Sequence, residues 1–315
     1  MIGMSENPLP GVFRRAGRPA VSVEFFPPKD PAGGERMLEA ARVLKGLGVD
    51  FASITYGAGG TSRDTTLHYG AKLVAMGYPM VGHLTCVGHT REELSGLIAR
   101  YDESGFSGIL ALRGDPPKGQ AAFVRHEGGF GHAHELVRLI RAERPGRFSV
   151  SVAGFPERHP DSPDDLSDVR HLAGKVAAGA DFVTTQLFLD NADYFRFVAR
   201  ARAAGVRVPV VPGILPVLSL KQARSFCGFC KARIPAALER ELADCGEDEE
   251  AQRRRALGRR ASPRPARGRR ARPARLRAQQ VRVRPGAVRR PARLSRALGL
   301  SSRPVRDGMP HAHRP

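Results

Sequence analysis

Val21-Ser22-Val23-Glu24-Phe25-Phe26-Pro27-Pro28-Lys29 is an apolar, strand-forming run that carries one carboxylate in its middle and stops abruptly at a pair of prolines. Alternate side chains of a strand face opposite ways, so Glu24 shares a face with Ser22 and Phe26, while Val23 and Phe25 share the other. A carboxylate in such surroundings resists ionisation and holds a proton towards neutral pH, the property a general acid needs. A structural Glu paired with an arginine is the competing reading, and the rest of the chain decides between them.

The pattern recurs. Apolar, β-rich runs at Val21–Phe26, Phe51–Tyr56, Met80–Cys86, Gly108–Arg113, Ser149–Phe155, Phe182–Phe188 and Val208–Leu215 read as strands. Between them Glu35–Leu47, Arg91–Ser104, His134–Glu143, Leu166–Ala178, Ala192–Ala204 and Ser219–Ala232 have helical periodicity, with Gly48 and Gly179 placed as C-caps. Such βα repeats build either a doubly wound sheet or an eight-stranded barrel. A doubly wound sheet gathers its site at one switch point. Here Glu24, Thr55, His83, Arg113, Asp115, His159 and Gln186 fall in or just after the C-terminal halves of different strands, where a barrel collects its active site. The expected fold is therefore α/β, a TIM (β/α)8 barrel lacking a recognisable eighth βα unit.

Composition divides the chain. Residues 251–315 hold 21 arginines, no Lys, no Glu and the single acid Asp307; taking these from 51 basic and 31 acidic residues leaves 30 of each before position 251. The whole net charge of +20 thus belongs to the tail. We read 1–20 as an N-terminal extension, 21–257 as the catalytic barrel, large enough for a proper core, and 258–315 as an Arg/Pro/Ala-rich, disordered tail. No apolar run reaches the length of a bilayer span and Met1–Pro19 lacks a continuous apolar core, so a cytoplasmic location without membrane contact is expected. Cys86, Cys227, Cys230 and Cys245 are too scattered for a disulfide framework and are expected to be reduced.

Six motifs carry a resemblance. Val-Glu-Phe-Phe-Pro-Pro-Lys (23–29), Ser-Ile-Thr-Tyr-Gly-Ala (53–58), Gly-His-Leu-Thr-Cys (82–86), Leu-Arg-Gly-Asp-Pro-Pro (112–117), Thr-Thr-Gln-Leu-Phe-Leu-Asp (184–190) and Pro-Gly-Ile-Leu-Pro-Val (212–217) resemble, in order, the bacterial type of 5,10-methylenetetrahydrofolate reductase. The resemblance implies an FAD enzyme that takes hydride from NADH or NADPH and passes it to methylenetetrahydrofolate, giving 5-methyltetrahydrofolate for methionine synthesis. It makes Glu24 the general acid that protonates N10 of the folate, and sets Asp115 near the flavin and pterin, where its charge favours a cationic iminium. Gln186, Gln222 and Phe226 match folate-contacting positions, Gln186 serving the nicotinamide as well. The positions that match FAD contacts are Thr55, Tyr56, Ala58, His83, Arg113, Gly114, Asp115, His132, Ala133, Phe155, His159, Asp168 and Lys175, with Arg113 and Lys175 charged for a pyrophosphate. His132 and Phe155 stand where the family often has tyrosine; each loses a hydroxyl and keeps a ring. A homo-oligomer is also implied.

Other motifs have simpler readings. Gly57–Ser62 lacks the Lys of a P-loop and the spacing of a dinucleotide fold, and reads as a βα turn. Cys227-Gly228-Phe229-Cys230 follows a helical run instead of opening one, and no second pair completes a zinc site. His132 with His134, and His311 with His313, are poor metal candidates and read as solvated or structural, so no metal is expected. Glu247–Glu250 reads as a solvated turn.

The tail has three readings: a nucleic-acid-binding arm, a disordered linker, or a stretch read out of frame. Arg, Ala, Pro and Gly share GC-rich codons. Read one base later, Ala271–Val281 can encode Pro-Gly-Leu-His-Ala-Phe-Ala-Leu-Asn-Lys-Ser, which resembles the missing eighth strand, and Gly258–Ala261 can encode Gly-Val-Glu-His, which resembles the start of the family's last helix. A frameshift near Gly258 is the preferred reading, and it leaves the barrel unable to close and the chain impaired. The alternative function is an inactive barrel remnant with an Arg-rich nucleic-acid-binding tail.

Overall fold

The computed structural model describes residues 7–15, 19–57, 63–116, 119, 123–217, 219–246, 248 and 278–283. Eight parallel strands, β1 (Ala20–Phe25), β2 (Phe51–Ile54), β3 (Met80–Thr85), β4 (Gly108–Leu112), β5 (Ser149–Gly154), β6 (Phe182–Leu187), β7 (Val210–Ile214) and β8 (Ala278–Val283), follow one another around a closed barrel. Helices α2 (Pro31–Gly46), α3 (Arg63–Ala75), α4 (Arg91–Glu103), α5 (Ala133–Glu143), α6 (Asp165–Ala177) and α7 (Asn191–Ala203) link the first seven strands; α8 (Leu220–Cys230) and α9 (Ala236–Ala243) follow β7. Ahead of them all lies α1 (Leu9–Arg14). Each of the seven sequence-read strands is found to within two residues at either end.

Strand alternation makes two cores. Val23, Phe25, Ala52, Ile54, Met80, Leu84, Ile109, Ala111, Val150, Val152, Val183 and Val210 point outwards and pack under helix residues such as Leu44, Leu73, Ile98, Ile140 and Phe197. The alternate residues face the barrel axis. At the N-terminal end they are Ala20, Phe51, Val81, Leu110, Phe182 and Val211, and α1 lies across them with Leu9 and Val12 buried. Phe13 completes that plug, its ring 4.9 Å from Phe182 and 5.8 Å from Phe51. Asn7 fixes the approach by donating Nδ2 to the Ser107 carbonyl at 2.9 Å and accepting from Leu9 N at 3.1 Å.

Two sequence expectations need correction. The barrel is not left open after its seventh strand: Ala278–Val283, inside the arginine-rich tail, forms β8 and pairs with β1 over six positions and with β7 at Gly213 and Ile214. The tail is thus not without strand structure. Without β8 the edges of β1 and β7 would leave N–H and C=O groups unpaired, and Ala-Gln-Gln-Val-Arg-Val supplies alternating β-branched residues that suit the gap. Register aligns Val281 and Val283 with Val23 and Phe25, and Arg282 with Glu24. Among the described residues no helix follows β8.

The cysteine reading fares as expected in its geometry: Cys227 and Cys230 lie in the last turn of α8, after its N-terminus instead of at it.

Candidate functional site

Two residues beyond the apolar plug, the same inward faces turn polar. Ser22, Ser53 and Ser151 are buried, and Ser151 Oγ shares a hydrogen bond of 2.9 Å with Thr184 Oγ1. Above this layer Glu24, in β1, is only 2% exposed, and its Oε2 lies 3.5 Å from Nε2 of His83 in β3. Glu24 is in register with Ser53 on β2, while His83 is in register with Leu110 on β4. Gln186 ends the inward row of β6, its Oε1 accepting from Leu187 N at 2.8 Å. The acid that the sequence singled out is therefore buried on the axis, at the C-terminal half of its strand.

The loops around it hold charge and rings. Gly114, just past β4, has φ +91°, and a Cβ there would lie 2.4 Å from Val87, so glycine lets the β4 loop close down on the β3 loop. Arg113 donates to Asp161 at 2.8 Å and stacks over Phe123 at 5.0 Å. Asp115 is exposed beyond it. Phe155 meets His159 edge-on at 4.5 Å. His159 Nδ1 accepts from Asp161 N at 3.0 Å, and burial, aided by Arg113, lowers its pKa; the ring is neutral with its proton on Nε2. Asp168, in the first turn of α6, is buried and accepts from Ser162 Oγ at 3.2 Å. One turn and more further on, Lys175 donates to the Ala153 carbonyl at 2.6 Å, and burial pushes its ammonium down to about 8.

Thr55 and Tyr56 leave the end of β2, Thr55 N bonding to the Phe25 carbonyl at 3.0 Å and Thr66 Oγ1 to the Thr55 carbonyl at 3.0 Å. Ala58 lies outside the described residues. His132 caps α5 with its backbone N bonded to Glu135 at 2.8 Å, its ring exposed and stacked on His134 at 5.6 Å, and Ala133 follows it half-buried. Gln222 is half-buried in the first turn of α8, whereas Phe226 is buried with Leu187 and Leu215, so it backs the rim from below.

The strand-end residues thus converge on one mouth, and the order of their elements around the barrel is the order of the motifs. Sequence reasoning did not find Asp161, which holds Arg113, nor His89 and Glu93, which sit behind Tyr56. Only the spacing of His89 and Glu93, four apart across a helix start, could have pointed to the latter pair.

With two cations, a neutral imidazole and half-buried aromatic surface along one rim, the residues present fit a group that joins phosphate to flat rings. The family model for methylenetetrahydrofolate reductase matches residues 12–261. Among curated relatives, "Methylenetetrahydrofolate reductase (NADH) 1" of Arabidopsis thaliana is 40% identical over 75% of this chain and 41% of its own length. The "5,10-methylenetetrahydrofolate reductase" of Escherichia coli is 36% identical over 77% of this chain and 79% of its own. The chain spans about two fifths of the length of the plant relatives it matches. A solved structure of an uncharacterized Clostridium thermocellum protein, described as binding two copies of 5-methyl-5,6,7,8-tetrahydrofolic acid, superposes with a TM-score of 0.57 at 14% identity, covering 93% of this chain and 97% of that one. At that identity the likeness is one of fold.

Proposed function

Because this chain belongs to the methylenetetrahydrofolate reductase family, we propose that its barrel mouth reduces 5,10-methylenetetrahydrofolate to 5-methyltetrahydrofolate with FAD as cofactor and NADH or NADPH as electron donor. The observation that carries this reading is Glu24, buried on the barrel axis beside His83. A carboxyl group there can hold a proton and give it to N10 of a folate above it, opening the five-membered ring at the carbon to be reduced. FAD, when bound, supplies the two-electron transfer.

The residues divide the remaining work by chemistry. Arg113 and Lys175 attract a pyrophosphate, with Asp161 and the Ala153 carbonyl keeping each cation in place. Phe155 and neutral His159 offer ring surface, and Thr55, Tyr56, Gly114 and Asp168 shape the wall around it. Asp115 adds negative charge where a cation develops on the substrate, and Gln186, Gln222 and Phe226 orient the pterin. His132 and Phe155, lacking the phenol hydroxyl common in the family, hold the flavin through ring contact alone. The plant relatives are named for NADH, so NADH is the donor to try first. The test is to titrate the purified chain with FAD and follow NADH oxidation together with 5-methyltetrahydrofolate formation. A chain that takes up no flavin, or oxidises NADH without making the methylated folate, overturns the assignment.

We further propose that the reading frame shifts near Gly258, and that this chain turns over poorly because the family's own last helix and strand-eight residues are replaced, although β8 still closes the barrel. The family match ends at residue 261, three residues beyond the change in composition. The alternative frame of Ala271–Val281 overlaps β8, so both frames offer a strand to the same gap. Resequencing the codons for Glu250 to Arg282 decides it. A lost or gained base that restores the Leu-Asn-Lys-Ser strand supports the shift, and an unbroken frame sinks it. Salt-sensitive DNA binding that vanishes on deleting 259–315 would instead favour a basic arm.

A further inference from the structure

Behind the candidate flavin wall sits a buried histidine that the reaction does not use. His89 lies in the turn between β3 and α4, has no exposed surface, and bonds its backbone N to the Cys86 carbonyl at 3.3 Å. Its Nε2 is 3.1 Å from the phenol oxygen of Tyr56, the residue just past β2. Its Nδ1 faces Glu93 Oε2 at 3.6 Å, just beyond a hydrogen bond. Glu93 is held in turn by the Thr90 backbone N at 2.9 Å, in the capping box of α4, and by Arg63 at 3.8 Å from the start of α3. A third loop closes over the same point: Arg91 N bonds to the Gly128 carbonyl at 3.1 Å, and a Cβ on Gly129 would lie 2.2 Å from the His89 carbonyl.

These contacts fix the proton positions. Burial pushes the Tyr56 phenol up to about 12, so its O–H stays on and needs an acceptor. Burial and Arg63 lower the His89 pKa, so the imidazole is neutral and carries one N–H. The carboxylate opposite Nδ1 favours the proton there, which leaves Nε2 to accept from Tyr56. Three connections, those after β2, β3 and β4, therefore meet at one residue: Tyr56 at the His89 imidazole, and Gly129 against the His89 carbonyl.

We propose that His89 is a positioning residue which, as its Nδ1–H tautomer, accepts the Tyr56 hydroxyl at Nε2 and so fixes Thr55 and Tyr56, which the flavin reading assigns to the cofactor. The proposal rests on that reading for its purpose, not for its geometry. With its proton committed to His89, the Tyr56 oxygen meets any ligand as an acceptor only.

The test uses the full chain with two readouts. Long-range proton–nitrogen correlation of the ¹⁵N-histidine-labelled protein, with the His89 signal identified by its loss in His89→Gln, should show a pyrrole-type Nδ1 and a pyridine-type Nε2, and Tyr56→Phe should collapse that pattern towards a tautomer mixture. FAD affinity, read by flavin fluorescence, should fall about tenfold in His89→Leu and in Tyr56→Phe, and no further in the double variant, because the same Tyr56–His89 hydrogen bond is lost in each case. His89→Gln, which keeps an acceptor near Nε2, should return to within about twofold of the parent. An Nε2–H tautomer, additive losses, or unchanged FAD affinity in a folded His89→Leu overturns the proposal. If the parent chain binds no flavin, the flavin reading fails on its own, and the imidazole spectrum still decides whether His89 holds Tyr56.

Discussion

At the N-terminal end of the barrel the inward residues are Phe51, Val81 and Phe182, covered by α1, whereas two residues further along the same strands they are Ser53, His83 and Thr184, with Glu24 beside them. Backbone, pairing and strand twist are common to both ends, so the contrast lies in side chains alone. One end is apolar and packed, and its residues hold the strands together. The other stays polar in spite of burial, its groups paired among themselves, as Ser151 is with Thr184. Stability and chemistry are thus separated along the barrel axis by about one residue pair per strand.

Substituting at each end should give opposite phenotypes. Glu24→Gln should fold normally and lower the rate of folate reduction by roughly 10²–10⁴-fold, the range for loss of a positioned acid, while NADH oxidation by an artificial acceptor persists; comparable losses in both half-reactions would move Glu24 out of the acid role. Phe182→Ala at the plug should cost about 3–5 kcal/mol of stability. It should leave the residual turnover at low temperature near that of the parent, as thermal melting and an assay at 10 °C would read.

A subtler probe is Lys175. The folded chain releases its proton near pH 8 and the unfolded chain near the ordinary lysine value of 10.5, so the flavin-free protein should gain stability as pH rises through that window. FAD affinity should run the other way, falling about tenfold once the ammonium is lost. Lys175→Met should flatten both curves. The smallest effect belongs to the outer surface. Arg100 and Asp64 pair at 2.8 Å with both side chains in solvent, and Arg100→Ala should shift stability by less than about 1 kcal/mol.

Most of the barrel was legible because seven of its strands are buried on both faces and announce themselves as apolar runs between helical patterns. Helix α3 was not, since Gly70 interrupts it; that glycine is required because a Cβ would lie 2.2 Å from the Phe106 ring, a fact of packing invisible in the local sequence. Helix α1 escaped notice because six residues carry too little periodicity, and its purpose exists only once the barrel end is assembled. β8 was hidden by arginines: its place is given by the two edges it pairs with, not by its own composition. In the site, residues that follow strands were readable by position, Glu24 above all. The Tyr56–His89–Glu93 chain was not, because it joins two connections that are 33 residues apart.

The seam between β1 and β8 also sets the order of events on the ribosome. Ala20 pairs with Ala278, so the first strand to emerge waits for almost the whole chain before its outer edge is covered. No other neighbouring pair in the barrel spans so long a loop, and closing it carries the greatest entropic delay. Until β8 is made, β1 would present an open edge, the kind that invites pairing with another chain.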